Sequence, residues 1–244
     1  MRYALEIVGL CKSYSKFAVK DINFSLPTGS IMGFVGPNGA GKTTTLKSIL
    51  NMLVYDSGEI RILGETDGKK VRDDVGVVMD SAFYEEEWRI SDVEKAIRLF
   101  SGRWDGSQFD SYLAKFDLDK KKRVKELSRG MSVKLMIAAA LSHDAKLLIL
   151  DEPTSGLDPV ARDELCNILL SYVKNSQRSV LFSTHITTDL EKIADYITFI
   201  MSGKIAFTGD RQALFEKYRP IYGETASIDE IIVSMAKERG EAFE

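Results

Sequence analysis

Gly36-Pro37-Asn38-Gly39-Ala40-Gly41-Lys42-Thr43 stands between an apolar run, Ile31-Met32-Gly33-Phe34-Val35, and a segment of helical pattern from Thr44 to Met52. A short apolar run bounded by turn residues reads as a buried strand. The order is then strand, glycine-rich loop, lysine-threonine, helix, which is the phosphate-cradling P-loop in its structural context. Gly36, Gly39 and Gly41 let the backbone wrap closely round a phosphate and aim successive N–H groups at it. The helix N-terminus adds the positive end of its dipole. Lys42 is expected to reach the β- and γ-phosphates, and the Thr43 hydroxyl to ligate Mg²⁺. Pro37, Asn38, Ala40 and Thr44 complete the stretch expected to line the nucleotide.

The whole chain bounds the reading. Its 244 residues suffice for one large α/β domain, or a domain with a subdomain, and for a sizeable core. With 44% hydrophobic and 28% charged residues the composition is ordinary for a globular protein. A net charge of −3 gives no support to a general nucleic-acid or anionic-membrane surface, so no nucleic-acid partner is expected. Cys11 and Cys166 lie far apart and match no metal or redox spacing, which favours a reducing compartment. No apolar run approaches the roughly 20 residues that span a bilayer. The longest, Leu135 to Leu141 and Tyr196 to Met201, are core-sized, and Met1 to Glu6 shows no signal-peptide pattern. The chain is therefore expected to be soluble in itself, with any membrane association passing through a partner.

Apolar, β-rich runs occur at 3–10, 21–26, 31–35, 58–63, 75–79, 146–150, 179–183, 196–200 and 204–208. The early ones are separated by turn residues such as Pro27-Thr28-Gly29, which predicts an antiparallel β layer. The later ones alternate with helical stretches, which predicts parallel βαβ units. Between 84 and 145 strands disappear. Ser91-Asp92-Val93-Glu94 reads as a capping box opening a helix through Phe100. Phe109, Tyr112, Leu113 and Phe116 have helical spacing, and Ser128 to His143 gives a third helix. Two further helical patterns, Arg211 to Tyr218 and Ile228 to Glu238, follow Gly209. The expected organisation is an α/β core over 1–83 and 146–209, a helical subdomain over 84–145 and a helical extension over 210–244.

Leu147-Leu148-Ile149-Leu150-Asp151-Glu152 delivers two acids at the C-terminal edge of a buried strand, where ligands bind in open α/β sheets. Asp151 suits Mg²⁺ coordination and Glu152 suits polarising a water as general base. A strand followed by a polar Asp-Glu-Pro turn is the plain alternative. Leu127-Ser128-Arg129-Gly130-Met131 begins a helix with Ser128 as its N-cap, and a helix N-terminus with a free hydroxyl also suits an anion.

P-loop, helical insert, Leu127-to-Met131, four apolar residues and Asp-Glu, Ser155-Gly156-Leu157-Asp158, then Ser183-Thr184-His185: this order resembles the ATPase subunit of ATP-binding cassette (ABC) transporters, from about Leu5 to Gly209. The resemblance implies a P-loop NTPase (RecA-like) α/β core with an antiparallel β layer and an inserted α-helical subdomain, ATP and Mg²⁺ as cofactors, an integral-membrane transporter subunit as partner, and a position on the cytoplasmic face of the membrane. It implies that Tyr14 stacks on the adenine and that Ser128 and Gly130 bind the γ-phosphate held by a second ATPase subunit, in a head-to-tail homodimer. Asp158 is implied to couple the two sites, or to serve simply as the N-cap of the helix opening at Pro159. His185 is implied to hydrogen-bond the γ-phosphate beside the catalytic Glu152 and Lys42, whereas His143, at a helix end, is accounted for by the helix dipole.

Two positions depart from the family pattern. Asp80 stands where the family has a glutamine that reaches Mg²⁺ and the water; a carboxylate is shorter and brings negative charge, so altered hydrolysis is expected. Arg129 and Met131 replace the commoner glycine and glutamine, a form similar to small bacterial exporters of the ABC-2-like group that move lipids, antibiotics or peptides. The runs Lys120-Lys121-Lys122-Arg123 and Glu85-Glu86-Glu87 read first as solvated faces. The resemblance also implies that the region after Asp80 receives a short cytoplasmic helix of the membrane subunit, and Glu85 to Trp88, with Phe83 and Tyr84, suits a socket for a basic one. Two other readings compete. A soluble ABC-type regulator, DNA or translation factor usually carries two cassettes or a long coiled-coil insertion, and this chain shows neither. A nucleotide kinase would not need Ser128-Arg129-Gly130 or Asp158.

Overall fold

The computed structural model describes residues 2–79, 84–174 and 177–238. Asp80 and Phe83, for which the sequence suggests roles, lie outside the described residues.

The elements run β1 (Tyr3–Ser13), β2 (Ala18–Pro27), β3 (Ile31–Val35), α1 (Lys42–Ile49), β4 (Ser57–Ile62), α2 (Gly68–Val71), β5 (Val75–Val78), α3 (Ile90–Phe100), α4 (Gly106–Lys115), α5 (Arg129–Leu141), β6 (Leu147–Asp151), α6 (Pro159–Lys174), β7 (Ser179–Thr184), α7 (Thr187–Ile193), β8 (Tyr196–Met201), β9 (Lys204–Asp210), α8 (Arg211–Tyr222) and α9 (Ile228–Glu238). Among the described residues they form an antiparallel sheet in the order β2-β1-β4 and a larger sheet in the order β5-β6-β7-β3-β8-β9. The larger sheet is parallel from β5 to β8, and β9 closes it antiparallel.

Alternation of side chains across the pleat divides the core in two. Ile31, Val35, Leu148, Leu150, Val180 and Phe182 face α5 and α6 on one side of the large sheet. Met32, Phe34, Leu147, Ile149 and Leu181 face the antiparallel sheet on the other, where Phe34 meets Phe24 at 5.5 Å between ring centroids. A strand covered on both faces must be apolar throughout, which is why β3, β6 and β7 carry no exposed residue.

The register of this sheet positions the site. β7 lies between β6 and β3, with Asp151 opposite Ser183 and Val35 opposite Thr184. Three neighbouring strands therefore release their chains at one edge: the glycine loop after Val35, Glu152 after Asp151, and His185 after Thr184.

Several helix boundaries differ from the sequence reading, as α1 does with Lys42–Ile49 in place of Thr44 to Met52, and two of the differences have a visible cause. α3 is capped at Arg89 rather than at Ser91, because the Arg89 backbone N–H donates to Asp92 Oδ2 at 3.2 Å and so closes one half of the box before Ser91 is reached. α8 runs on to Tyr222 with Pro220 inside it; Tyr218 packs on Phe207 and stacks on Tyr222, and this apolar side holds the last turn in place.

Candidate functional site

Between Val35 and Lys42 the loop is shaped by its glycines. Gly39 and Gly41 adopt φ of 79° and 112°, in the left-handed region. A Cβ on Gly36 would stand 2.3 Å from the Ile200 carbonyl oxygen, so the loop can pass β8 only as glycine. Gly203 N–H donates to the Ala40 carbonyl at 3.0 Å and ties the loop to the β8–β9 turn. α1 is capped by Gly41 with no side-chain cap, which leaves its first N–H groups open toward an anion.

Lys42 is buried and donates to the Gly36 carbonyl at 2.6 Å, while its ammonium stands 3.3 Å from Glu152 Oε1. The Thr43 hydroxyl donates to Asp151 Oδ2 at 2.9 Å. The Ser183 hydroxyl donates to Asp151 Oδ1 at 2.6 Å and accepts the Glu152 N–H at 3.0 Å. His185 Nδ1 lies 2.7 Å from Glu152 Oε2. Glu152 itself turns the chain with φ of 50°, unusual for a residue with a side chain, and so aims its carboxylate back over the loop.

These groups surround a cavity of about 620 Å³ lined by the loop, by Lys42, Thr43 and Thr44, and across from them by Glu152, His185, Arg129 and Ser155. The Arg129 Nη2 group donates to Ser155 Oγ at 3.2 Å. Thr43 and Asp151 offer two hard oxygen donors side by side, which suits Mg²⁺ carried in by phosphates. Among the described residues no cluster of three acidic, histidine or cysteine side chains could hold a metal unaided.

The other residues singled out in the sequence stand apart from this cavity. Ser128 caps α5 and accepts the Met131 N–H at 3.3 Å. Gly130 lies against Gly156, whose carbonyl a Cβ would meet at 3.3 Å. Asp158 accepts N–H groups of Val160 and Ala161, both at 3.0 Å, as the N-cap of α6. These bonds, the Ala161 one foremost, hold its carboxyl below the usual range. Tyr14 is half exposed beside a second cavity of about 600 Å³ that it shares with Phe17, Asn38 and Gly39. His143 bridges Ala139 and Val75 carbonyls at 3.3 Å each. Two site residues escaped the sequence reading. Phe17 lines both cavities, and Ser183 was noted only as part of a motif, since its bond to Asp151 exists only through the β6–β7 register.

The charge runs meet each other. Arg123 and Lys125 pair with Glu87, the former at 2.5 Å and the latter at 2.7 Å, and hydrogen bonds from Lys125 and then Arg123 lower its carboxyl below the ordinary range. The Glu87 charge is thus engaged within the chain. Trp88 is 40% exposed, and Tyr84 packs partly buried on the core.

Comparison with known proteins agrees with this geometry. The family model for ABC transporter matches residues 19–155. A lantibiotic transport ATP-binding protein of Streptococcus pyogenes is 34% identical over 88% of this chain and 100% of its own length. A Nod factor export ATP-binding protein of Rhizobium leguminosarum is 34% identical over 88% of the chain and 71% of its own. A solved ATP-binding subunit of an ABC transporter superposes with a TM-score of 0.84 at 26% identity, covering 95% of this chain and 99% of that one. The chain belongs to the ABC transporter family, as an ATP-binding, ATP-hydrolysing subunit.

Proposed function

We propose that Lys42, Thr43, Asp151, Glu152 and His185 carry out hydrolysis of ATP at the edge of β3, β6 and β7. The observation that carries this reading is the ring of contacts around Glu152: Lys42 on one carboxylate oxygen, His185 on the other. Phosphate oxygens compete with Glu152 and with the Gly36 carbonyl for the Lys42 ammonium. Once Lys42 turns to phosphate, Glu152 keeps His185 and has an oxygen to take a proton from water. Glu152 is the general base, and His185 orients it and reaches toward the γ-phosphate. The loop N–H groups, the α1 N-terminus and Lys42 neutralise charge that spreads over the phosphoryl oxygens in the transition state. Thr43 and Asp151, and Asp80 outside the described residues, would hold Mg²⁺, which supplies further charge neutralisation on the phosphates. Ser183 fixes the Asp151 carboxylate.

Ser128, Gly130 and Asp158 are placed in this reading on the face of a second copy, completing its site in a head-to-tail homodimer. What supports it is that Ser128, Gly130 and Asp158 do not line the chain's own cavity, whereas Arg129, between the first two, does. Tyr14 stacks on the base, with Phe17 beside it. Residues 84–145 act as a helical subdomain on the core over 1–83 and 146–209, with 210–244 as an extension. In keeping with the transport relatives, an integral-membrane subunit forms the path and holds this chain at the cytoplasmic face; among the described residues no helix is long and apolar enough to cross a membrane. The lantibiotic and Nod factor relatives support export of a peptide, antibiotic or lipid-like substrate.

The test is co-purification of a tagged chain from membranes, followed by ATP turnover of that complex with and without the Glu152→Gln change. Turnover that depends on Glu152, in a complex holding a membrane subunit, supports the reading. Wild-type turnover in Glu152→Gln overturns the base assignment.

A further inference from the structure

We propose that Asp189 is a positioning residue for ATP hydrolysis, setting the loop from Glu152 to Asp158 by way of Thr154 and Arg162. The proposal rests on Glu152 as the general base. Asp189 sits in the first turn of α7, four residues after His185, and is 3% exposed. Thr154, two residues after Glu152, is 2% exposed. Arg162 lies in the first turn of α6, where its N–H donates to the Asp158 carbonyl at 3.0 Å. The ion pair of Lys192 with Asp163 ties α7 to α6 near its start, which sets the buried Asp189 side chain beside the loop that carries Glu152, Ser155 and Asp158.

The node is incompletely satisfied. Asp189 Oδ2, Thr154 Oγ1 and Arg162 Nε are all buried without a hydrogen-bond partner. Burial pushes the Asp189 carboxyl up, while the Thr154 hydroxyl close by and the charge of Arg162 draw it back down; the three groups are neighbours, yet the Thr154 hydroxyl closes no bond of full hydrogen-bonding geometry. Buried polar atoms left open cost free energy, and three in one place are rarer than one. A small shift of the loop that seats the Thr154 hydroxyl and the Arg162 guanidinium on Asp189 satisfies all three together. Such a shift carries Glu152 at one end and Asp158 at the other. The loop already turns through left-handed backbone at Glu152 and Gly156, φ 50° and 78°, so it has the bends to move between.

α7 is the fixed side of this joint. The Thr187 hydroxyl donates to Asp229 Oδ1 at 2.6 Å, and Glu191 Oε1 accepts the Ile228 N–H at 2.9 Å. α9 buries Ile228, Ile231, Ile232 and Met235 in the same core as Leu190 and Ile193 of α7. With α7 anchored from behind, closing the node moves the loop rather than the helix.

The experiment measures steady-state ATP turnover, nucleotide affinity and Tm on the full chain for Asp189→Asn, Asp189→Glu and Thr154→Val, with Glu152→Gln in parallel. Asp189→Asn is expected to lower kcat about tenfold while KM and nucleotide affinity stay within about twofold, as for an interaction used only in the transition state. Asp189→Glu restores part of the loss, and Thr154→Val repeats it in weaker form. If Asp189→Asn fails to fold, Thr154→Val alone decides, and an unchanged kcat there overturns the proposal. Unchanged kcat in folded Asp189→Asn overturns it, as does a fall of kcat, affinity and Tm together. Full turnover in Glu152→Gln removes the base assignment and this proposal with it, whereas a dead Glu152→Gln beside fully active Asp189 variants removes only this proposal.

Discussion

His185 Nδ1 and Glu152 Oε2 stand 2.7 Å apart, although 33 residues separate them in the chain. Only the parallel pairing of β6 with β7 makes them neighbours, because it ends the two strands level at Asp151 and Ser183. The same Glu152 offers its other oxygen to Lys42 at 3.3 Å. In the proposed function, the substrate itself releases this carboxylate, shared between a histidine and the lysine of the glycine loop, by drawing Lys42 away.

Glu152→Gln is therefore expected to keep nucleotide binding and lose turnover by about 10²–10⁴, the range for removal of a general base. The amide keeps the shape and drops the proton acceptor. Single-turnover ATP hydrolysis with parallel nucleotide titration checks this. A loss of binding equal to the loss of rate would instead make Glu152 a binding group.

Ser183→Ala is expected to destabilise the fold by about 1–3 kcal/mol, because it removes the donor to Asp151 and leaves the Glu152 N–H without its acceptor. Asp151 then keeps only Thr43 among these two hydroxyls and gains rotational freedom. A raised Mg²⁺ requirement for turnover should accompany the lower Tm. Urea denaturation and a Mg²⁺ titration of the rate measure the two effects separately.

The glycine loop makes a contrasting pair. Gly36→Ala places a Cβ 2.3 Å from the Ile200 carbonyl, a backbone atom that cannot swing aside, so the loop itself must shift and nucleotide affinity should fall with stability. A Cβ on Gly39 meets nothing within 4 Å, and the cost there is the φ of 79° alone, about 1–2 kcal/mol. Isothermal titration with ATP should rank Gly36→Ala far below Gly39→Ala. Equal affinities would mean that the Gly36–Ile200 approach does not hold the loop.

What the sequence made legible was local. The P-loop follows from glycines and a lysine within eight residues, and each run read as β-rich from the sequence became one of the strands β1 to β9, while the apolar run Leu135 to Leu141 lies in α5. Helix ends were less legible, since the start of α3 depends on an Arg89 backbone N–H and the end of α8 on aromatic packing around Tyr218. The site residues that pattern alone did not reveal act across sequence distance. Ser183 meets Asp151 through strand register, Phe17 reaches the loop because β1 and β2 turn beside it, and Asp189 faces Thr154 through the seating of α7. A residue's type at such places carries no spacing signal, and only the fold supplies its partners.

Asp74 gives a pH-dependent test of the seam between the helical segment and the large sheet. Its side chain is 14% exposed, and it accepts from Arg103 at 2.7 Å and faces Lys146 at 3.0 Å. Burial raises the carboxyl pKa, but hydrogen bonds from Arg103 and Lys146 outweigh this and leave it below the ordinary 3.8. A native pKa below the unfolded one means that the unfolded chain binds the proton first. The contribution is thus complete above the ordinary value and is lost as pH falls through the depressed native value. Both cations are more than a third exposed, so screening holds the contribution to about 1 kcal/mol. Asp74→Asn should therefore lie below the wild type in unfolding free energy at neutral pH and converge on it as the solution is acidified below about pH 4. Urea titrations at stepped pH, in low salt and again in high salt, follow the gap. A gap that stays constant with pH would show that Asp74 contributes through shape and hydrogen bonding rather than through its charge.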